Sequence, residues 1–161
     1  MSISLKKYVA IDFGYNAVRL FISDVIEHSG TIQFKKSELV RVPIRLGSDV
    51  FLKNHISDFN IKRLSDTLKA FYLLMRVNGV VAYKACATSA MREANNAPAI
   101  VETIFNETGV RIDVIDGQTE AKIIAATDLN DILDPKKHIC MLMLEGEYRI
   151  FDIRRTQQNI K

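Results

Sequence analysis

Cysteine, proline and glycine are all scarce in these 161 residues, and each scarcity closes off a class of protein. Two cysteines, Cys86 and Cys140, cannot build the disulfide framework of a small secreted scaffold. Both stand inside apolar runs, VAYKACATSA and HICMLML, which marks them as buried free thiols of a reducing compartment. Three prolines and seven glycines are too few for a collagen-like or linker-like chain, and no stretch is biased enough for a disordered segment. Long hydrophobic runs are missing too. The longest, Ile139 to Leu144, falls far short of the roughly 20 residues that cross a bilayer, and MSISLKKYVAIDF lacks the apolar core of a signal peptide. Nor is there a strong charge of either sign. The balance of 22 Lys+Arg against 19 Asp+Glu, +3, tolerates a polyanionic ligand without demanding nucleic acid. A cytoplasmic protein with no membrane and no nucleic-acid partner is the expectation.

What the chain does have is an ordinary globular composition, 48% hydrophobic and 25% charged. At this length roughly 70% of the unfolded surface can be buried, so no metal or disulfide staple is needed. We expect residues 1–161 to form a single domain, with no internal repeat and no linker.

Tyr8 to Asp12 is a short apolar run that stops at Phe13-Gly14-Tyr15-Asn16, and alternation resumes over Val18 to Ile26, so two strands joined by a tight turn are expected. Thr31 to Val42 offers a third strand, which completes an antiparallel meander. From Ser57, a suitable N-cap, apolar residues at Ile61, Leu64, Leu68, Phe71, Tyr72 and Met75 follow helical spacing until Gly79. Val80 to Ala87 then reads as a buried strand, Ala97 to Thr108 as a helix stopped by Gly109, Arg111 to Ile115 as a strand and Gly117 to Leu133 as a helix closed by Asp134-Pro135. A strand over His138 to Leu144 and a hairpin partner around Tyr148 and Ile150 finish the pattern. The fold class is α/β: a mixed sheet of three antiparallel strands followed by alternating helices and parallel strands.

Three segments could carry chemistry. In Asp12-Phe13-Gly14-Tyr15-Asn16 a carboxylate at a strand end precedes a glycine turn, where backbone N–H groups can cradle a phosphate and the Asp can hold a cation; equally, Asp12 and Asn16 can simply form an Asx-type turn. In Ala87-Thr88-Ser89-Ala90-Met91-Arg92-Glu93-Ala94 a hydroxyl-rich corner and an arginine lie at the carboxyl end of a parallel strand, where α/β sheets bind ligands. Helix-capping hydroxyls and a solvated Arg-Glu pair are the plain alternative. In Ile115-Asp116-Gly117-Gln118-Thr119-Glu120-Ala121 a strand hands over to a helix, and a carboxylate in that first turn can merely complement the helix dipole.

Together, in this order and spacing, the three segments resemble the exopolyphosphatase and guanosine pentaphosphate phosphohydrolase (Ppx/GppA) family of the actin-like, sugar-kinase and Hsp70 superfamily. Residues 10–20 stand where that family has a strand and an Asp-x-Gly-Ser-Asn-Ser loop, residues 87–94 match its Ala-Thr-Ser-Ala-x-Arg-Glu-Ala stretch, and residues 115–121 its Ile-x-Gly-x-Glu-Glu-Ala stretch, with Thr119 for the first Glu. The resemblance implies a ribonuclease H-like (actin-like ATPase) lobe. It implies Arg92 as a phosphate-binding and catalytic arginine and Glu120 as the carboxylate that positions attacking water. Asp12, Gly14, Asn16, Thr88 and Ser89 become phosphate-binding positions, and Asp12 a ligand of Mg²⁺. Polyphosphate or guanosine polyphosphate would be the ligand, and a second lobe or a second copy the partner.

The chain departs from the family in two places. Where the family has a second phosphate loop, Asp-x-Gly-Gly-Gly-Ser-x-Glu, this sequence reads Met143-Leu144-Glu145-Gly146-Glu147-Tyr148-Arg149, with bulky and acidic side chains in place of two glycines. Tyr15 replaces a serine of the first loop. A lobe inactive by itself is therefore expected, and the alternative is a non-catalytic module of the same fold that binds a phosphate-rich ligand or a protein.

Overall fold

The computed structural model describes residues 4–28, 31–125, 139–144 and 147–152. At its centre β1, Ser4–Phe13, is buried without interruption from Tyr8 to Phe13, as a strand with a neighbour on each side and cover above and below must be. On one side it pairs antiparallel with β2, Val18–His28, which pairs in turn with β3, Thr31–Val42. On the other it lies parallel to β4, Val80–Ala87, which pairs with the two-residue β5, Asp113–Val114. The sheet order is β3-β2-β1-β4-β5, the mixed α/β arrangement expected from the sequence. β6, Ile139–Leu144, and β7, Glu147–Asp152, form a separate antiparallel pair with Leu144 opposite Glu147, which is the expected hairpin.

Alternation along β1 divides its side chains. Val9, Ile11 and Phe13 join the larger core, where α2, Asp58–Val77, contributes Leu64, Leu68, Phe71 and Met75, and α4, Ala97–Thr108, contributes Ile100 and Ile104. Each large side chain buried in this way stabilises the fold by about 1.5–3 kcal/mol. The opposite face holds Tyr8, Ala10, Phe21, Ala82 and Cys86, with Ile115 and Ile123 packed against them. Ile123 belongs to α5, Gly117–Ala125, so the sheet has helices on both faces.

Local chemistry sets the helix ends. The Ser57 hydroxyl accepts the Asn60 N–H at 3.4 Å and so caps α2 as expected. The same corner is held by Asp49 of α1, Leu46–Lys53, whose carboxylate accepts the Ser57 N–H at 2.9 Å, the Ser57 hydroxyl at 2.6 Å and the Asn60 amide at 2.8 Å. Burial alone would raise the Asp49 pKa, but these hydrogen bonds together outweigh it and hold the carboxyl below its usual range. Gly109, in the left-handed region at φ 72°, ends α4 by returning its N–H to Phe105 O at 2.8 Å.

Two helices are not foreseen by pattern. α1 is two turns long and its N-cap, Arg45, is left-handed with no capping side chain; α3, Ser89–Glu93, has only five residues. The expected strand 111–115 shortens to Asp113–Val114. The helix expected to reach Leu133 is described only to Ala125, and its remainder, with Asp134-Pro135, lies outside the described residues, as does the Glu145-Gly146 turn. No helix among the described residues is long and apolar enough to cross a membrane.

Cys86 is 1% exposed, and desolvation pushes its thiol up from 9.0 to about 12. A thiol at about 12 rather than 9.0 holds about a thousandfold less thiolate at pH 8. Modification of Cys86 by a thiol reagent at pH 8 should accordingly require unfolding, and fast reaction without denaturant would contradict the burial. Between pH 9.0 and about 12 the unfolded chain loses this proton while the folded chain keeps it, so the contribution to stability is complete below 9.0 and is lost on going up through that window. The side chain of Cys140 lies outside the described residues.

Candidate functional site

Strand register brings the three chemistry-bearing segments to one edge of the sheet. Phe13 pairs with Ala87 and Ala87 with Val114, so β1, β4 and β5 end side by side and Gly14, Thr88 and Ile115 leave the sheet together. Two short links hold the corner: the Thr88 N–H and hydroxyl both donate to Phe13 O at 3.4 Å, and Ile115 N–H donates to Ala87 O at 3.0 Å. Thr88 is buried by this and Ser89 half-buried. Its hydroxyl caps no helix, contrary to the plain alternative for this segment.

Arg92 and Glu120 meet across that edge. Arg92 lies one turn into α3, its N–H on Thr88 O at 3.0 Å, and its guanidinium reaches over to β5 and α5. There Nη1 donates to Ile115 O at 3.0 Å and to Glu120 Oε2 at 3.3 Å. Both bonds use Nη1, so Nη2 and Nε carry no hydrogen bond to the protein among the described residues. Glu120 is fixed from its own side: the Asp116 carboxylate accepts the Thr119 N–H at 2.6 Å, and Asp116 O accepts the Glu120 N–H at 2.9 Å. The backbone hydrogen bond from Thr119 is the main reason the Asp116 carboxyl lies below its usual range. The Arg92 and Glu120 side chains are 34% and 24% exposed. An arginine with open donors beside a half-open carboxylate can hold an anion and orient a water molecule next to it.

The first turn is built differently from a phosphate cradle. Gly14 N–H donates to Ala17 O at 3.1 Å and closes the turn on itself. Asn16 is exposed; its carbonyl accepts the Arg45 N–H at 3.0 Å, and the Tyr15 carbonyl accepts the Gly47 N–H at 2.8 Å. The Tyr15 ring fills the space a side chain at Gly47 would need: a Cβ there would lie 2.2 Å from ring carbons. Arg45 takes φ 60°, a left-handed conformation that is costly for a non-glycine residue. Underneath, Asp12 Oδ2 is bonded to Arg19 Nη1 at 2.9 Å, with side chains 1% and 18% exposed. Asp12 thus turns Oδ2 toward β2.

Arg19 and Gly47 were not singled out by motif, and only Arg19 left a signal. Asp12 and Arg19 are equally far from the Tyr15-Asn16 turn, so a hairpin register sets them opposite one another. Gly47 stands in the first turn of α1, a helix the pattern does not foresee, and only the structure shows the Tyr15 ring against it.

Whether Mg²⁺ fits can be judged from Asp12. Mg²⁺ keeps several waters in a tight octahedron and needs open volume around its carboxylate, whereas Asp12 is enclosed and already bonded to a guanidinium. Among the described residues no group of three or more His, Cys, Asp or Glu is placed to hold a metal ion. These residues do not fit Mg²⁺.

Comparison with known proteins gives a consistent result. A model of the Ppx/GppA phosphatase family matches residues 25–144. A bifunctional 3-dehydroquinate synthase/phosphatase of Fusobacterium nucleatum is 30% identical over 120 residues, 71% of this chain and 18% of that protein. A guanosine-5'-triphosphate,3'-diphosphate pyrophosphatase of Photobacterium profundum is 29% identical over 117 residues, 73% of this chain and 23% of that protein. Among solved structures, a Ppx/GppA family member from Aquifex aeolicus superposes with a TM-score of 0.69 at 26% identity, covering 76% of this chain and 40% of that one. The chain therefore spans well under half the length of each of these relatives, and its α/β sheet is that of a Ppx/GppA actin-like lobe.

The contact between Tyr15 and Gly47 can be tested by a change of sign. Alanine in a helix is favoured over glycine by up to about 1 kcal/mol, but displacing a packed ring costs about 1–3 kcal/mol. Gly47→Ala should lower the unfolding free energy in the wild-type chain and raise it in a Tyr15→Ala background. Equal effects in both backgrounds, measured by urea denaturation, would show that the ring does not rest there.

Proposed function

The chain belongs to the Ppx/GppA phosphatase family, and we propose that these 161 residues supply one side of a phosphoanhydride-binding cleft that holds a phosphate-chain anion without hydrolysing it alone. The observation that carries this reading is the Arg92–Glu120 pair at the common end of β1, β4 and β5. The ligand class is polyphosphate or guanosine polyphosphate. In this reading Arg92 takes phosphate oxygens with Nη2 and Nε, while Thr88, Ser89 and the Gly14-to-Asn16 turn line the approach. Glu120 is the acceptor that would orient a water molecule toward phosphorus.

Hydrolysis asks for more than this. The charge that spreads over the phosphoryl oxygens in the transition state has to be met from several directions at once. Where the family's sequence has a second glycine-rich loop, this sequence has Glu145, Glu147 and Tyr148. Two carboxylates there repel a polyanion, so groups from a second lobe or a second copy would have to complete the site. No step is assigned to Mg²⁺, because Asp12 does not fit it.

A second reading, a protein-interaction module of the same fold, is favoured by Phe51, Leu52 and Phe59, which are 82%, 75% and 72% exposed where α1 meets the start of α2. Sedimentation across a range of concentrations separates the two: association that Phe51→Ser and Phe59→Ser abolish, with no anion binding, favours the module.

The 161-residue chain should release no phosphate above background from long-chain polyphosphate or guanosine pentaphosphate. Turnover at about 1 per second or faster, abolished by Glu120→Gln, overturns the proposal. Calorimetry with tripolyphosphate should find binding that is weak, roughly millimolar, and that declines with added salt. A charge-assisted hydrogen bond contributes about 1.5–3 kcal/mol, so Arg92→Ala should weaken binding by roughly 10- to 150-fold. Unchanged affinity in Arg92→Ala removes Arg92 from the site.

A further inference from the structure

The misfit between Asp12 and a divalent cation has a specific cause within the hairpin. β1 and β2 pair with Asp12 directly opposite Arg19, and the two side chains project on the same face as Ala10 and Phe21, where small and apolar neighbours leave little room. Asp12 Oδ2 and Arg19 Nη1 are 2.9 Å apart. The turn roofs the pair: a Cβ on Gly14 would lie 3.6 Å from both of these atoms. A carboxylate in such a place must be neutralised from within the protein, since a buried charge without a partner is costly. Arg19 does this with a charge that cannot be titrated away or lost by dilution.

We propose that Arg19 is the permanent counter-ion of Asp12 and occupies the electrostatic place of a divalent cation, so that this edge of the sheet binds no metal through Asp12. The inference rests on the pair alone and holds whether or not the chain binds a phosphate anion. Arg19 acts here through Asp12 and is a positioning residue. Its charge holds the Asp12 carboxylate against β2 and turns it away from solvent, and a hydrated divalent ion would meet both a guanidinium and a closed wall. Removing the guanidinium should open that wall. With Arg19 replaced by an uncharged side chain of similar length, the Asp12 carboxylate loses this guanidinium, and a small divalent ion is the natural replacement.

The test is Mn²⁺ binding to the full 161-residue chain, followed by electron paramagnetic resonance of the free ion and, separately, by the thermal midpoint. Wild type and Asp12→Asn should take up equally little Mn²⁺ at millimolar concentration. Arg19→Met should be destabilised, with a fall in midpoint on the order of 10 °C. It should recover in part when millimolar Mn²⁺ is added and in part when combined with Asp12→Asn, and the double variant should lose the response to Mn²⁺. Binding of one Mn²⁺ by the wild-type chain that Asp12→Asn abolishes overturns the proposal. So does an Arg19→Met chain as stable as wild type. If Arg19→Met does not fold, the comparison of wild type with Asp12→Asn still decides whether Asp12 is a metal ligand. Tripolyphosphate binding is read in a separate titration without metal, so failure of the anion reading leaves this result intact.

Discussion

The arrangement of β1 between an antiparallel neighbour and a parallel one is the constraint on which the rest depends. A hairpin with β2 fixes its register from one side, and the parallel ladder with β4 fixes it from the other. A slip of one residue would turn Val9, Ile11 and Phe13 out of the larger core and drive Asp12 into it. The cost of that exchange holds the three strand ends level. Because Phe13, Ala87 and Val114 are level, the turns that follow them open to the same side, and Arg92 can reach Glu120 although 28 residues separate them.

The two faces of the sheet do different work. The larger core carries Phe13, Leu64, Leu68 and Phe71 and supplies most of the apolar burial. The other face holds Tyr8 and Phe21 beside two alanines and a cysteine, with Ile123 of α5 packed against them, and the Gly14 turn roofs the Asp12–Arg19 pair. Charges also brace the margin of the sheet, where Lys84 of β4 pairs with Asp113 of β5. That pair matters because β5 has only two residues and its ladder alone is a weak tether.

Much of this was legible in the sequence, and what was not has physical reasons. Period-two alternation over Val18 to Ile26 and helical spacing from Ile61 to Met75 are strong signals because a whole face is buried in each. The single glycines at 79 and 109 end helices as stop signals should. α1 and α3 escaped because short helices carry too few periods, and because their starts use Arg45 in a left-handed conformation and a threonine whose hydroxyl goes to another strand. In the site, motif spacing singled out Arg92 and Glu120, which the structure places in contact. It could not show that the Gly14 N–H is used inside its own turn, whereas equal distance from that turn was the signal that sets Asp12 opposite Arg19.

The two arginines at this edge differ in how deeply the fold buries them and their partners. Arg92 and Glu120 are 34% and 24% exposed, and a pair so open to solvent is worth about 1 kcal/mol or less. In the proposed reading an arriving anion meets the open Nη2 and Nε of Arg92 and leaves Nη1 on Glu120. Arg19 and Asp12 are 18% and 1% exposed, and breaking a buried pair costs about 3–5 kcal/mol because it strands the remaining charge. No single phosphate contact of about 1.5–3 kcal/mol can drive that exchange. Two arginines of the same chemistry at one sheet edge thus differ by burial alone: the Arg92 pair is open to solvent, and Arg19 keeps the partner that the hairpin register gave it.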